Sequence, residues 1–217
     1  MSRGVKISLA LVAVFVVAVA AILLVSRSGG DSDASVSDDR AAEVVVRPDS
    51  HRISSAPEGS PTFVEFLDFE CEACRGVYPA IEDLRAEYGD RVGFVVRYFP
   101  LPGHFNAERA ARAVEAAAQQ GKFEQMYQKM YETQTEWGEQ RVPKDDVFRG
   151  FAADLGLDMA AFDAAYADPA TAARVAADVA DGKALGVQGT PSFFLDGQRL
   201  EPNTLQDLTD ALDAALG

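Results

Sequence analysis

The chain contains two cysteines, and only two residues separate them, in Cys71-Glu72-Ala73-Cys74. Helical side chains three positions apart share one face, with Cβ atoms about 5–6 Å apart. A disulfide needs Cα atoms about 4.4–6.8 Å apart, so the two thiols could close a small ring with little backbone movement. The spacing therefore favours reversible thiol–disulfide chemistry.

The neighbouring segments place this pair at the start of a helix. Residues 62–69 are mostly aromatic and β-branched, which predicts a buried strand, and residues 77–88 have a helical pattern. Unpaired amides and the dipole at a helix N-terminus stabilise a thiolate, which is the form that attacks disulfides. We expect Cys71 to be the nucleophile and Cys74, one turn later, to be the more buried resolving cysteine.

Two other roles for the pair stay open at this point. A structural zinc site needs four ligands, and the only two histidines, His51 and His104, lie far away in the sequence. A structural disulfide across so short a loop would add little stability. We predict no metal, and no organic cofactor either, because neither a phosphate-binding loop nor a nicotinamide fingerprint follows a predicted strand.

The N-terminal residues predict a membrane anchor. Residues 7–25 are uncharged and almost entirely apolar, and Arg3 and Lys6 precede them. A run of about 20 apolar residues spans a bilayer, so we expect an uncleaved anchor, with residues 1–6 in the cytoplasm and the rest of the chain outside. A cleaved signal peptide is the alternative, because Ala18-Val19-Ala20 resembles a cleavage site.

The rest of the chain predicts one linker and one domain. Residues 26–42 are rich in Ser, Gly and Asp, which is typical of a flexible linker, and the folded domain is expected over residues 43–217. A short strand at residues 43–47 would open the domain, and residues 48–61 have the composition of a loop. The formal net charge of −14 argues against nucleic-acid binding.

The order of the predicted elements indicates an α/β fold. A second strand at residues 91–99 follows the helix after the cysteines, which implies a parallel, right-handed crossover. An all-helical insertion then covers about residues 104–186, before a strand at 189–195, a hairpin strand at 198–201 and a final helix at 205–216. The predicted helices of the insertion are residues 106–120, 123–135, 144–155, 158–167 and 171–185.

Three stretches carry a resemblance to a known family. They are Val64-Glu65-Phe66-Leu67-Asp68-Phe69 before the cysteines, Pro102-Gly103-His104-Phe105-Asn106-Ala107, and Gly189-Thr190-Pro191-Ser192-Phe193-Phe194 near the end. The chain resembles the DsbA-like thiol-disulfide oxidoreductases of the thioredoxin-fold superfamily, and in particular their membrane-anchored extracytoplasmic type. The resemblance implies a thioredoxin fold with a helical insertion.

The same resemblance assigns roles to further residues. Pro191 is expected to be a cis proline facing the sulfurs, and Thr190 to expose backbone groups that pair with an extended substrate. Glu65 matches the family's buried acidic position and would accept the proton of Cys74; a glutamate that faces solvent or pairs with a lysine is the alternative. His104 could also touch the site, but we leave it out of the catalytic set.

The residues between the cysteines depart from the family pattern. Strong oxidants of the class carry Pro-His there, whereas this chain has Glu72-Ala73. A nearby carboxylate disfavours a thiolate, so we expect the pKa of Cys71 in the upper part of the range of about 3.5–7.5 that such cysteines cover.

The resemblance implies an extracytoplasmic enzyme that forms disulfide bonds in exported proteins. Its partners would be exported proteins with cysteines and a membrane protein that reoxidises or reduces the cysteine pair. A disulfide reductase or isomerase with the same site is one alternative. A non-enzymatic anchored module for binding or metal delivery is the other.

Overall fold

The computed structural model describes residues 44–217. The anchor predicted at residues 7–25 and the linker predicted at residues 26–42 lie outside the described residues. In the described part of the chain, none of the helices combines the length and the apolar character that crossing a membrane requires.

One sheet forms the centre of the fold. Its strands are β1 (His51–Arg52), β2 (Thr62–Leu67), β3 (Gly93–Tyr98), β4 (Ser192–Leu195) and β5 (Gln198–Leu200). They lie in the order β1-β3-β2-β4-β5. β2 is parallel to β3, and β1 and β4 run antiparallel to their neighbours. The predicted strand, helix, strand unit and the predicted hairpin near the C-terminus are both confirmed.

The helices fill the predicted positions with small shifts. They are α1 (Glu72–Tyr88), α2 (Ala107–Ala118), α3 (Phe123–Glu132), α4 (Gln134–Trp137), α5 (Asp145–Asp154), α6 (Met159–Ala167), α7 (Pro169–Ala184) and α8 (Leu205–Leu216). α1 connects β2 to β3, and α2 to α7 form the insertion between β3 and β4. The helix predicted at residues 123–135 is divided at Thr133, and α1 begins directly after Cys71.

The prediction of a strand at residues 43–47 is wrong for the residues of that segment that the structure describes. Val44 and Val45 are helical, and their carbonyl groups accept hydrogen bonds from the Arg97 guanidinium at 2.9 and 2.6 Å. The edge of the sheet beside β3 is instead occupied by β1, where His51 pairs with Val96. The segment therefore packs through a buried arginine and not through strand pairing.

Both faces of the sheet are covered, which explains the continuous apolar run of β2. Phe63 and Leu67 point into the larger core with α1 and the insertion, whereas Val64 and Phe66 point into a smaller core on the other face. The apolar pattern of residues 123–131 also predicts core residues, and Met126, Tyr127, Met130 and Tyr131 are buried, as is Trp137, whereas Phe123 is half-buried. The sheet thus fixes where β2 ends and where the cysteines begin.

Candidate active site

The cysteine pair lies at the N-terminus of α1. Cys71 is the extended residue that caps the helix, and Cys74 lies in its first turn. Both are free thiols, with 6% of Cys71 and 1% of Cys74 exposed. The prediction that Cys74 is the more buried of the two is confirmed.

The loop before β4 meets the cysteines. The Thr190–Pro191 peptide bond is cis, as the family resemblance led us to expect. The Sγ atom of Cys71 donates a hydrogen bond of 3.4 Å to the carbonyl oxygen of Thr190. The fold therefore brings together two segments that are 119 positions apart in the sequence.

The two thiols have pKa values displaced in opposite directions. The pKa of Cys71 is lowered to about 5, chiefly by a hydrogen bond from the Cys74 thiol. The Thr190 side chain and backbone amides of the first turn lower it further, against the opposing effect of burial. Burial raises the pKa of Cys74, and its hydrogen bond to Cys71 raises it further. Cys71 is thus the thiolate at neutral pH, and Cys74 keeps its proton.

The prediction of a pKa in the upper part of the range for Cys71 is wrong. Glu72 is exposed, so water screens its charge. Glu70 is buried and turned towards the insertion, where its carboxylate accepts hydrogen bonds from the amides of Asn106 at 2.5 Å and Glu139 at 3.1 Å. Neither carboxylate opposes the hydrogen bonds that stabilise the Cys71 thiolate.

Glu65 lies inside the protein, on the middle of β2. Only 4% of it is exposed, which excludes the solvent-facing alternative. Burial, followed by the negative charges of Glu82 and Cys71, raises the pKa of Glu65 to about 8. The charge of Glu65 also raises the pKa of Cys74, so the two groups interact. A carboxyl group that is neutral at pH 7 and interacts with the resolving thiol is able to exchange a proton with it.

Sequence reasoning missed a glutamine that holds the active-site loop. The Gln134 side-chain amide, from α4, donates to the carbonyl oxygens of Phe69 at 2.7 Å and Cys71 at 2.9 Å. Its carbonyl oxygen accepts a hydrogen bond of 3.0 Å from Arg75. Only 3% of Gln134 is exposed, but its neighbours Thr133, Thr135 and Glu136 are polar too, so nothing in the sequence marked it as buried.

A second missed feature is the pair formed by Asp68 and His104. Asp68 follows β2, and its carboxylate accepts hydrogen bonds from the amides of Glu70 at 2.8 Å and Leu101 at 2.9 Å. The Nδ1 atom of His104 lies 2.6 Å from the same carboxylate. His104, which we left out of the catalytic set, is therefore bonded to the residue that begins the turn into the cysteine motif.

Among residues 44–217, no group of three or more His, Cys, Asp and Glu residues is placed to hold a metal ion. The available polar groups instead stabilise one thiolate and one neutral thiol.

Comparisons with known proteins agree with this geometry. A protein-family model described as Thioredoxin matches residues 50–214. The chain belongs to the thioredoxin family. A solved thioredoxin-like oxidoreductase from Silicibacter pomeroyi DSS-3 has a TM-score of 0.66 and 29% sequence identity, over 78% of this chain and 94% of that one.

Solved DsbA proteins share the fold. Wolbachia pipientis alpha-DsbA1 gives a TM-score of 0.65 at 19% identity, over 79% of this chain and 92% of that one. DsbA from Xylella fastidiosa gives a TM-score of 0.60 at 22% identity, over 77% and 92%. The chain therefore has a DsbA-like thioredoxin fold, which confirms the fold that the resemblance implied.

The curated relatives that match this chain are named as sodium–proton antiporters. The Na(+)/H(+) antiporter NhaA of Herminiimonas arsenicoxydans is 38% identical over 158 residues, which are 73% of this chain and 24% of that protein. NhaA 1 of Mycolicibacterium gilvum (strain PYR-GCK) is 35% identical over 178 residues, which are 79% and 28%. The chain spans about a quarter of the length of these relatives, and the similarity concerns that part of them.

Proposed function

We propose that this chain is an extracytoplasmic thiol-disulfide oxidoreductase that forms disulfide bonds in exported proteins. The observation that carries the proposal is the opposite displacement of the two thiol pKa values, with Cys71 lowered to about 5 and Cys74 raised. A stabilised Cys71 thiolate is a good leaving group and favours the reduced form of the pair. A pair that prefers to be reduced takes electrons from other thiols.

The reaction has two exchange steps. A substrate thiolate attacks the Sγ atom of Cys71 in the disulfide form; the bond to Cys74 breaks, and Cys74 leaves as a thiolate that takes up a proton. A second substrate thiolate then attacks the substrate sulfur of the mixed disulfide and releases Cys71 as a thiolate. Two electrons pass from the substrate to the cysteine pair, and of the two substrate protons one is retained on Cys74 and one goes to solvent.

Thr190 and Glu65 have separate roles in these steps. The Thr190 carbonyl oxygen, next to the Cys71 sulfur, would pair with the backbone of an extended substrate and bring its thiolate to Cys71. Glu65 would give its proton to the departing Cys74 thiolate and recover it from solvent, because its pKa of about 8 leaves it protonated at pH 7. Pro191 shapes the loop that carries Thr190.

A redox assay tests the activity. Purified full-length protein, oxidised beforehand, is mixed with a reduced peptide that contains two cysteines, and disulfide formation is followed by trapping free thiols. We expect the wild type to oxidise one peptide per molecule. Cys71→Ser should abolish the reaction, and Cys74→Ser, treated with a disulfide-bonded peptide, should accumulate a mixed disulfide at Cys71.

The assay also separates the alternatives. A reductase or isomerase would reduce or rearrange a peptide disulfide faster than it oxidises the dithiol, and would still need Cys71. A non-enzymatic binding or metal-delivery module would give no exchange in either direction, and Cys71→Ser would leave peptide binding intact.

The location is part of the proposal. The apolar residues 7–25, preceded by Arg3 and Lys6, would anchor the chain with its cysteines outside the membrane. A membrane redox partner would then take two electrons from the reduced pair after each cycle. Labelling of Cys71 in intact cells by a membrane-impermeant maleimide is the expected result, and labelling only after lysis would contradict it.

A sodium–proton antiporter is a candidate partner. About a quarter of the antiporter of Herminiimonas arsenicoxydans matches this chain at 38% identity, so such a module exists within an antiporter polypeptide. The Cys74→Ser variant, expressed in cells, would capture its partners as mixed disulfides. Identification of an antiporter among them would support this partnership, and its absence from a trap that captures other proteins would exclude it as a redox partner.

A further inference from the structure

We propose that His104 is a positioning residue that holds a positive charge beside the Cys71 thiolate, with Asp68 as the residue that fixes it there. The inference rests on the proposed function, since it concerns the same nucleophile. It adds a residue from the loop between β3 and α2 to a site otherwise built by α1 and the loop before β4.

The geometric argument runs through Asp68. Its backbone carbonyl accepts a hydrogen bond of 3.2 Å from the Cys71 amide, and its carboxylate lies 2.6 Å from the Nδ1 atom of His104. One residue thus contacts both the imidazole and the nucleophilic cysteine. The amides of Glu70 and Leu101 hold the same carboxylate, so Asp68 has little freedom to turn away.

The Asp68 carboxylate favours a charged imidazole, against the opposing effect of burial. The Asp68 side chain is completely buried, whereas 23% of the His104 side chain is exposed. Burial raises the pKa of Asp68 in spite of its hydrogen bonds, which is the expected effect when a carboxylate loses water. An imidazolium placed between this carboxylate and solvent compensates the buried charge.

The same imidazole interacts with the thiolate. Burial lowers the pKa of His104, but the hydrogen bond and charge of Asp68, followed by the charge of Cys71, raise it above its ordinary value. The interaction between His104 and Cys71 is mutual, so a protonated His104 must also stabilise the Cys71 thiolate.

Other charged groups surround His104 as well. Glu139, from the loop after α4, raises the pKa of His104, and the charges of Glu70 and His104 also interact. Glu108 and Arg109 of α2 and Lys183 of α7 line the same groove as His104, which has a volume of about 760 Å³. Two of these groups are cations. The pH dependence of the Cys71 thiolate must therefore be assigned to His104 with single variants and not from the net charge of the groove.

The chain contains a matched control for this proposal. His51 makes the same kind of contact, with its Nε2 atom 2.6 Å from the Glu115 carboxylate. It stacks on Phe123 at 4.0 Å between ring centroids, in a part of the fold that β1 and α3 build. Because the chain has two histidines, each of their signals can be assigned by the loss of one side chain.

The first experiment measures the histidine pKa values by NMR in the full-length protein, reduced and oxidised. Oxidation removes the thiolate of Cys71, so we expect the pKa of His104 to fall on oxidation; the signals of His51 are identified by their loss in His51→Gln. A purely structural contact with Asp68 would give the same pKa for His104 in both redox states, and this result would overturn the proposal.

The second experiment measures the Cys71 thiolate by its ultraviolet absorbance in His104→Gln and His51→Gln. Glutamine retains a hydrogen-bond donor for Asp68 but has no charge. We expect His104→Gln to reduce the thiolate fraction below pH 5 by roughly three- to tenfold, as the loss of one nearby charge implies, and His51→Gln to leave it unchanged. His104→Arg should retain most of the thiolate.

The outcomes separate this inference from the proposed function. Equal thiolate titrations in His104→Gln and wild type would exclude the role of His104, even if disulfide exchange is normal. A wild-type protein that forms no reversible disulfide would contradict the proposed function, while the titrations would still report on His104. If His104→Gln does not fold, the pKa of His104 in the reduced and the oxidised wild type decides whether His104 interacts with the Cys71 thiolate.

Discussion

The Sγ atom of Cys71 lies 3.4 Å from the carbonyl oxygen of Thr190, to which it donates a hydrogen bond when protonated. This contact joins the helix that lowers the pKa of the nucleophile to the loop that can receive a substrate. The Thr190 hydroxyl is buried and has no partner at hydrogen-bond geometry in the described structure. The Thr190 side chain still lowers the pKa of Cys71, so the loop contributes both its carbonyl group and its side chain to the site.

The raised pKa of Glu65 predicts a specific pH dependence of stability. The folded-state pKa of about 8 lies above the ordinary value of 4.5, so the folded protein binds this proton more tightly than the unfolded chain does. The resulting stabilisation is fully present below pH 4.5 and is lost as the pH rises to about 8. Glu65→Gln removes this titration. The free energy of unfolding of the variant, relative to that of the wild type, should therefore rise by roughly 3–5 kcal/mol between pH 4.5 and 8.

Urea unfolding at pH 5 and pH 8 of the wild type and the variant measures this difference. Glu72→Gln is the control, because Glu72 is exposed, and its difference from the wild type should be the same at both pH values. If the difference in the free energy of unfolding between Glu65→Gln and the wild type were the same at pH 5 and pH 8, Glu65 would be ionised in the folded protein across this range.

The hydrogen bonds of Gln134 predict that the insertion stabilises the active-site loop. Gln134→Ala removes one acceptor and two donor contacts at a buried position, and leaves the carbonyl groups of Phe69 and Cys71 without this partner. We expect a loss of about 1–3 kcal/mol in the free energy of unfolding and slower disulfide exchange. Gln206→Ala removes an exposed side chain and should change stability by less than about 0.5 kcal/mol. Equal effects of the two variants would contradict this role.

The buried ion pair on the other face of the sheet predicts a large effect on stability. Asp178 is fully buried and accepts hydrogen bonds of 2.7 Å from the Arg97 Nε atom and 3.0 Å from the Tyr98 amide. Asp178→Asn leaves Arg97 with the Asp181 carboxylate, 2.5 Å from its guanidinium, as the remaining ion-pair partner, so we expect a loss of about 3 kcal/mol in the free energy of unfolding.

Asp163→Asn provides the matched comparison for this ion pair. Asp163 lies 2.8 Å from the Arg149 Nε atom, and both side chains are about half exposed. Water screens an exposed ion pair, so the variant should be nearly as stable as the wild type. Urea unfolding of both variants measures the difference, and a small loss in Asp178→Asn would show that the asparagine satisfies Arg97.

The parts of the site that depend on local sequence were predictable. The strand before Cys71 and the helix after it determine where the thiols lie, and both elements have a clear local pattern. The cis Pro191 and the buried Glu65 came from the family resemblance, because the Thr190-Pro191 sequence alone would indicate only a turn.

The parts that depend on distant contacts were not predictable. Gln134 is 63 positions from Cys71, and His104 is 36 positions from Asp68, so no spacing rule links either pair. The carbonyl groups of Val44 and Val45 are taken by Arg97, more than 50 positions later, and this contact overrides the strand preference of the valines. The pKa of Cys71 was misjudged for the same reason, because Glu70 is turned away by partners in the insertion.

The reduction potential of the Cys71 and Cys74 pair tests the central proposal most directly. Full-length protein is equilibrated in glutathione buffers, and its free thiols are trapped and counted. With the pKa of Cys71 lowered to about 5, we predict a potential well above the value of about −270 mV that is typical of thioredoxin. A potential near that of thioredoxin would contradict the oxidase and favour a reductant, and a pair that forms no reversible disulfide in any buffer would contradict thiol–disulfide exchange altogether.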